Sequence, residues 1–414
     1  MNSKLKETTT AAALPTDLRH QNNLTILKVF SSGEVYSAND VSALTGISRQ
    51  TVMKAINSFA QKGLVASAGK GQSTVIGGKK PELFQFCMER YLLCIGLFGD
   101  EMAVCIYDLT CKLIAQESTV FDVTKSVDGF FADIDTVAGR LFERAPHGRE
   151  KLYGVSLVVG GVIDYRLGKL KYSDITPSWG ADVPLKDMLA ERFPGVVIEV
   201  DNVAKMAACA AVLDNQEYED CRVAVVYTDI GLSACYIDKG HVLHGANSLI
   251  GEIGHTVMDM SKMELYSYSR EGCFERLVSE GYLNQMAFEQ PDQLSLSKLS
   301  SYGEDIPLQA FFTEADQGDE YARQIVKYAA WVFSTALRNI ALNFDPHVVI
   351  IQGSYSHAGE WFHECLQKGI KCYSYYFENE TFSLVYDKRP LRDLQMQGAT
   401  MVLSREFFSS PEWL

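Results

Sequence analysis

From Ser37 to Asn57 the chain reads SANDVSALTGISRQTVMKAIN, two short amphipathic segments hinged on Thr45-Gly46. Few folds accommodate that pattern. Ser37 is placed to cap a helix that carries Val41 and Leu44 inward. Gly46 takes a positive φ at little cost, as a tight turn requires. Ile47 then plugs the inter-helix core. Ser48 caps a further helix with Val52, Ile56 and Phe59 on its inner face. An apolar-periodic helix precedes the pair, with Leu24, Ile26, Leu27, Val29 and Phe30, and ends near Ser31-Ser32-Gly33. Helix, glycine turn, helix is the helix-turn-helix pattern.

The outward residues of the last helix have the chemistry of a DNA reader. Ser48, Arg49, Gln50, Thr51, Lys54 and Asn57 can reach base edges and phosphates in a major groove. Leu64-Val65 begins a strand, and AGKGQSTVIGGKKPELFQF reads as a basic hairpin wing. Its Lys70, Gln72, Lys79 and Lys80 sit among glycines that let the backbone approach a duplex.

The net charge of −14 would argue against a nucleic-acid partner if it were evenly spread. It is not. Residues 1–90 hold 11 Lys and Arg against 6 Asp and Glu, while the other 324 hold 27 against 46. A basic head on an acidic body confines phosphate contact to the head. No apolar run reaches the roughly 18–20 residues of a membrane span. Residues 1–16 are rich in Thr and Ala, lack the apolar core of a signal peptide and are expected to be a flexible tail. Ten cysteines lie scattered without a CxxC pair, which suits buried thiols in a reducing cytoplasm. The expected location is cytoplasmic.

Beyond Tyr91 the periodicity changes. LLCIGLFGDEMAVCIYDLTCKLIAQES reads as two adjacent strands, with turns near Gly99-Asp100 and Leu109–Lys112. Apolar strands recur at 152–159, 196–200, 222–227 and 347–352, with helical stretches such as 184–193 and 202–213 between them. Strands alternating with helices argue an α/β body. No short sequence repeat is visible.

Several segments carry a family resemblance: VVGGVID at 158–164, SWGADVPL at 178–185, EVDNVAKMAA at 199–208, GANSLIGEIGH at 245–255, GCFE at 272–275 and FDPHVVIIQGSYSHAG at 344–359. From about residue 20 to 410 the chain resembles the ROK family of repressors, open reading frames and sugar kinases, especially its winged-helix repressors for xylose and N-acetylglucosamine. The resemblance implies an actin-like, sugar-kinase-type two-lobe fold with a ligand in the interlobe cleft. It also implies roles. Asp201 matches the family's catalytic base, which holds a sugar hydroxyl. Glu252 and Glu275 match sugar-hydroxyl acceptors, and Gly161 lies in the loop lining the sugar. His255 is then a hydrogen-bonding histidine near Glu252. Carboxylates suit polyols because each accepts several hydroxyl hydrogen bonds.

The departures from the family pattern matter as much. Where kinases carry Asp-x-Gly-Gly-Thr, this chain has Gly96-Leu97-Phe98-Gly99-Asp100. The second phosphate loop is Asp229-Ile230-Gly231-Leu232-Ser233, and the adenosine-side triple glycine is Gly353-Ser354-Tyr355. Acids and a bulky ring stand where backbone N–H groups would meet phosphate. On the sugar side, Val200 and Ile175 replace two expected asparagines. Of the family's four zinc ligands, His255 and Cys273 remain, while Tyr266 and Tyr268 occupy the other positions; structural zinc wants four ligands. No metal, no cofactor and no catalytic residue are expected.

The sequence therefore predicts a tail at 1–16, a winged helix-turn-helix at 17–87, one lobe formed by 88–202 and about 394–414, and a second lobe at 203–393. The expected partners are operator DNA, a monosaccharide or sugar-phosphate effector, and further copies of the chain in a dimer or tetramer. The alternatives are a sugar kinase that keeps a DNA-binding head and a regulator whose body is a ligand-free protein-docking module.

Overall fold

The computed structural model describes residues 15–72, 80–145, 147–213, 215–263, 270–372 and 382–410. Most of the expected tail lies outside them, but helix α1, Pro15–Val29, already includes its last two residues.

One 3-10 turn links α1 to a short strand β1, Tyr36–Ser37, followed by helices α2, Ala38–Thr45, and α3, Arg49–Gln61. Strands β2, Val65–Lys70, and β3, Glu82–Phe86, complete an antiparallel sheet of order β1-β3-β2. The local chemistry explains the turns. Ser37 Oγ accepts from Asp40 N at 3.3 Å while Asp40 Oδ2 accepts from Ser37 N at 2.8 Å, a reciprocal capping box. Gly46 ends α2 at φ 69°, donating to the Ser42 carbonyl. Ser42 Oγ then donates to the Ile47 carbonyl at 2.6 Å, locking the turn. Ile26, Leu27, Phe30, Val41, Val52, Ile56 and Phe59 form the head's core. Leu44, expected inward, is 59% exposed. Thr45 beside it is half-buried, its hydroxyl donating back to the Val41 carbonyl at 2.7 Å.

Two five-stranded sheets follow. The first contains β4, Tyr91–Phe98, β5, Glu101–Asp108, and β6, Leu113–Val120. The sequence reading stopped at two strands here; β6 alternates between exposed and half-buried residues and forms an edge too polar to stand out. Helix α4, Val127–Arg144, leads to β7, Leu152–Val159. A small hairpin, β8, Val162–Asp164, and β9, Lys169–Tyr172, precedes helix α5, Leu185–Arg192, and β10, Val197–Asn202. Helix α6, Val203–Val212, starts without an intervening loop.

The second sheet begins with β11, Arg222–Thr228, β12, Leu232–Asp238, and β13, His241–Val242. Then come α7, Phe274–Leu277, α8, Glu280–Phe288, α9, Pro291–Leu296, α10, Leu308–Asp316, and the long α11, Glu320–Phe344. Strand β14, Val348–Gly353, helix α12, Gly359–Cys372, strand β15, Ser383–Asp387, and helix α13, Leu391–Ser409, end the described chain.

The sheet orders are β10-β7-β4-β5-β6 and β13-β12-β11-β14-β15. They are the same topology used twice: an antiparallel meander on one side of the first strand and two parallel strands on the other. The duplication leaves no sequence repeat because buried parallel strands require only a run of apolar residues, which many sequences satisfy. Each lobe has its own core, and α6 packs on α13 between them.

The head is joined to the body through apolar packing. Phe86 of β3 meets Phe407 and Phe408 of α13, with ring centroids 5.9 and 4.9 Å apart. Ile26, Leu27, Leu403 and both phenylalanines share one buried cluster. Burying each such side chain contributes about 1.5–3 kcal/mol. Lys28 also reaches Glu219 at 3.1 Å, although both side chains are largely exposed and the pair adds little. Among the described residues, no helix is long and apolar enough to cross a membrane.

Candidate functional site

The outer face of α3 presents Arg49, Gln50, Lys54 and Asn57 to solvent. Val52, Ala55, Ile56 and Phe59 on its other face are buried, so the helix cannot rotate this polar stripe inward. Ser48 is tied to the helix start: its Oγ accepts from Thr51 N at 3.3 Å and lies 2.9 Å from Thr51 Oγ1. That bond restrains Ser48 and the half-buried Thr51 relative to their four exposed neighbours. On the wing, Lys70, Gln72 and Lys80 are exposed. Gly71 N donates to the Pro81 carbonyl and extends the β2–β3 ladder one step beyond the Lys70–Glu82 pair. Lys79 lies outside the described residues.

The second candidate site is the cleft between the sheets. Gly161, Val162, Asn202 and Lys205 line one wall; Ser233, Ser248, Ile250, Gly251 and Glu252 line the other. The first wall is built by a sharp turn from β10 into α6. Asn202 caps the helix, its Oδ1 accepting from Ala204 N at 2.8 Å. Its Nδ2 donates to the Gly161 carbonyl, pinning the β7–β8 loop. Gly161 has φ 120°, and a β-carbon there would collide with the Tyr172 carbonyl. Only glycine lets this loop approach so closely.

Asp201 stands beneath that wall, 8% exposed. Its Oδ1 accepts from Asn202 N at 2.7 Å and faces Lys205 Nζ at 3.3 Å. The lysine side chain is 9% exposed, so this is a buried ion pair. It is the feature that the sequence reading missed: Asp201 ends β10 and Lys205 lies in the first turn of α6, so the pair forms only where strand meets helix.

The remaining carboxylates lie on the second lobe. Burial raises the Glu252 pKa and Glu275 adds to that, while His255 and Lys205 oppose it. His255 Nε2 is 3.9 Å from Glu252 Oε2, and the imidazole is exposed. Glu275 Oε2 accepts from Leu232 N at 2.8 Å. One oxygen of this expected sugar ligand is therefore occupied by the backbone of the degenerate second phosphate loop. Gly161 and Glu252 thus line the cleft directly; Asp201 lies behind Lys205, and Glu275 and His255 flank Glu252.

Large side chains stand in all three nucleotide-side segments, with Ile230 of the second 75% exposed. The Phe98 ring folds over Gly96, where a β-carbon would lie 2.1 Å from it. Gly99 of that loop approaches Ile230 of the second, whose Cδ1 is 4.0 Å from a β-carbon built at 99. Asp229 Oδ2 accepts from Tyr227 Oη at 3.1 Å, and Gln395 Nε2 donates to the same phenol at 2.8 Å. Tyr355 is buried in the second lobe's core and donates to the Val278 carbonyl at 2.6 Å. Val200 is buried and half-buried Ile175 packs against Gly160, so both stand as apolar contacts where asparagines were expected.

Among the described residues, no group of three His, Cys, Asp or Glu is arranged to hold a metal ion. Cys273 Sγ donates to the backbone carbonyl of His255 at 3.4 Å. Tyr266 and Tyr268 lie outside the described residues.

Comparison with known proteins matches this architecture. The ROK family model matches residues 92–405. A xylose repressor from Caldicellulosiruptor bescii is 22% identical over 399 residues, covering 96% of this chain and 98% of that protein. A glucokinase from Halalkalibacterium halodurans is 27% identical, covering 61% of this chain and 77% of the enzyme. The crystal structure of a ROK family transcriptional regulator, described as a homolog of the E. coli Mlc protein, superposes with a TM-score of 0.75 at 16% identity, over 94% of this chain and 98% of that one. The fold is the two-lobed actin-like one with an N-terminal helix-turn-helix, and the chain belongs to the ROK family.

Proposed function

We propose that this protein is a DNA-binding transcription regulator of carbohydrate genes, most simply a repressor, whose body senses a monosaccharide or sugar phosphate and performs no phosphoryl transfer. The observation that carries the reading is the α3 face. Arg49, Gln50, Lys54 and Asn57 are exposed on a helix locked by its buried side, in a head whose core continues into α13. A rigidly mounted polar helix beside a basic hairpin can enter a major groove. Similarity to a xylose repressor along nearly the whole chain supports the same reading.

The kinase alternative has specific features against it. Phosphoryl transfer needs loops that cradle phosphates and a base that accepts the sugar proton. Here the Phe98 ring lies over Gly96, Asp229 is held by Tyr227, Tyr355 is buried in the second lobe's core, and Asp201 is engaged by Lys205 at 3.3 Å. The sugar side keeps polar groups on the cleft walls, among them Glu252, Asn202 and Ser248.

The division of the chain follows the same reading: a head at 17–87, one lobe from 88–202 with about 394–414, and the other from 203–393. Assembly as a homodimer or tetramer, with two heads on paired half-sites, belongs to the proposal too. The test is selection of bound sequences from random duplex DNA by the full-length protein, then titration of the selected operator with and without xylose, glucose, N-acetylglucosamine and their phosphates. Selective binding modulated by one sugar supports the proposal. Failure to select any sequence would sink the DNA reading; selection without any sugar response would leave a ligand-independent regulator.

A further inference from the structure

Tyr165 and His244 stack on each other and join the two lobes close in sequence to residues that line the cleft, Ile163 and Ser248. Tyr165 lies in the turn between β8 and β9 on the first lobe; His244 follows β13 on the second. Their ring centroids are 3.8 Å apart and their planes differ by 18°. Arg166 steadies the phenol, its Nε donating to Tyr165 Oη at 3.1 Å. On the other side, Leu243 N donates to the Tyr236 carbonyl at 2.8 Å and anchors the backbone beside the histidine.

The histidine is poorly satisfied there. Its Nδ1 is buried and has no hydrogen-bond partner. Burial also holds its pKa below the ordinary histidine value, with Asp201 opposing and Lys205 reinforcing that shift. A neutral ring with one orphaned polar atom is an expendable tenant. What it covers is the face of a tyrosine beside a polar cleft. A pyranose has the matching form: an apolar C–H face for the tyrosine and a hydroxyl rim for the surrounding polar groups.

We propose that Tyr165 is the stacking platform for a pyranose, and that His244 occupies this platform until the sugar displaces it. The proposal rests on the reading of the cleft as a sugar site and adds to it a ligand shape. A closed ring with an apolar face is accepted, and an open-chain polyol with a similar set of hydroxyls is not. It also links binding to lobe movement, because parting the stack removes a contact between the two lobes.

The experiment is calorimetric titration of the full-length protein with xylose, glucose and N-acetylglucosamine, and with xylitol and glucitol as open-chain controls. Wild type, His244→Ala, Tyr165→Ala and Tyr165→Phe are compared. One of the ring sugars should bind with its open-chain control much weaker. His244→Ala should tighten that sugar about two- to tenfold, the range an aromatic pair is worth. Tyr165→Ala should weaken it by at least as much, and Tyr165→Phe should retain it. Without sugar, hydrogen exchange should rise in both 162–170 and 241–248 in His244→Ala. Weaker binding in His244→Ala would make the imidazole a ligand-holding group and overturn the proposal. Equal binding of xylose and xylitol, or unchanged affinity in every variant, would overturn it while leaving the sugar reading intact. If no sugar binds wild type or His244→Ala, the platform and the sugar reading fall together.

Discussion

The backbone carbonyl of Met206 presses against Gly398: a β-carbon at position 398 would sit 1.8 Å from that oxygen. This is where α6, which begins beside the cleft, crosses α13, which ends against the head. Gly398→Ala must therefore push the helices apart. Overpacking of a tight crossing costs about 1–3 kcal/mol. A urea melt should show that loss, and operator affinity should fall with it because α13 carries Phe407 and Phe408 into the head's core. A stable Gly398→Ala protein with unaltered DNA binding would show that the crossing tolerates separation and does not support the head.

The Asp201–Lys205 pair gives a second prediction. Lys205→Met leaves a buried carboxylate without its counter-ion, and breaking such a pair typically costs about 3–5 kcal/mol. Asp201→Asn strands the ammonium in the same way. The double variant should be more stable than the sum of the two losses implies, with a coupling of about 0.5–3 kcal/mol in a double-mutant cycle. Additive losses would mean that the two groups do not depend on each other. None of these variants should acquire ATP-dependent hexose phosphorylation, since the Phe98 ring still lies over Gly96 and Tyr355 still stands in the adenosine-side segment.

Lys205 also marks where the sequence was hard to read. The strands β7, β11 and β14 were legible as apolar runs, and the helix-turn-helix was legible because Ser37, Gly46 and Ser48 each serve one local backbone need. Those are short-range signals. Lys205 sits in a run of small and apolar residues, where a lone lysine looks like a solvated position; only the turn of α6 against β10 buries it. Tyr165 and His244 lie 79 positions apart on different lobes, and nothing local in either segment foretells their stacking. Leu44 failed for the opposite reason: an eight-residue helix has too few turns for periodicity to decide between Leu44 and Thr45.

DNA affinity should rest on the head and be salt-dependent. Lys70→Ala and Lys80→Ala remove exposed charges from the wing, and each should lower the slope of log K against log salt by roughly one unit. Gln50→Ala should instead change the preferred sequence, by about 1–3 kcal/mol at one base pair. Fluorescence anisotropy on the selected operator and on single-base variants separates the two effects. A Gln50→Ala protein with the wild-type preference would remove that side chain from base readout.

Glu252 offers a pH test. Burial raises its pKa, so the folded state holds the proton more tightly than the unfolded chain does. The sign follows from linkage: its contribution is most favourable below the ordinary glutamate value of 4.5 and is lost as pH rises through the higher folded value. Glu252→Gln removes that titration. The variant should gain stability relative to wild type at neutral pH, and the gain should shrink on acidification toward pH 4.5. A difference that does not change with pH would show that the carboxylate is not desolvated in the folded protein.

The switch itself can be tested at the two glutamates. A ligand in the cleft moves DNA affinity only through its differential affinity for two lobe arrangements. Such couplings are typically about 1–3 kcal/mol, or roughly 5–150-fold. The mechanical route is short: the cleft wall continues into α6, α6 bears on α13 at Gly398, and α13 ends on Phe86 of the wing. Glu252→Ala should therefore abolish the sugar response and leave sugar-free operator binding close to wild type. Glu275 is different, because its Oε2 also satisfies Leu232 N. Glu275→Ala should lose the response and about 1–3 kcal/mol of stability, the cost of an unmet buried donor. Glu275→Gln keeps an acceptor oxygen and should spare most of the stability while still weakening the sugar. Anisotropy titrations at rising sugar concentration read the response, and urea melts read the fold. Loss of sugar-free operator binding in Glu252→Ala would make that carboxylate a structural support, and an undiminished response in both alanine variants would place the effector outside this cleft.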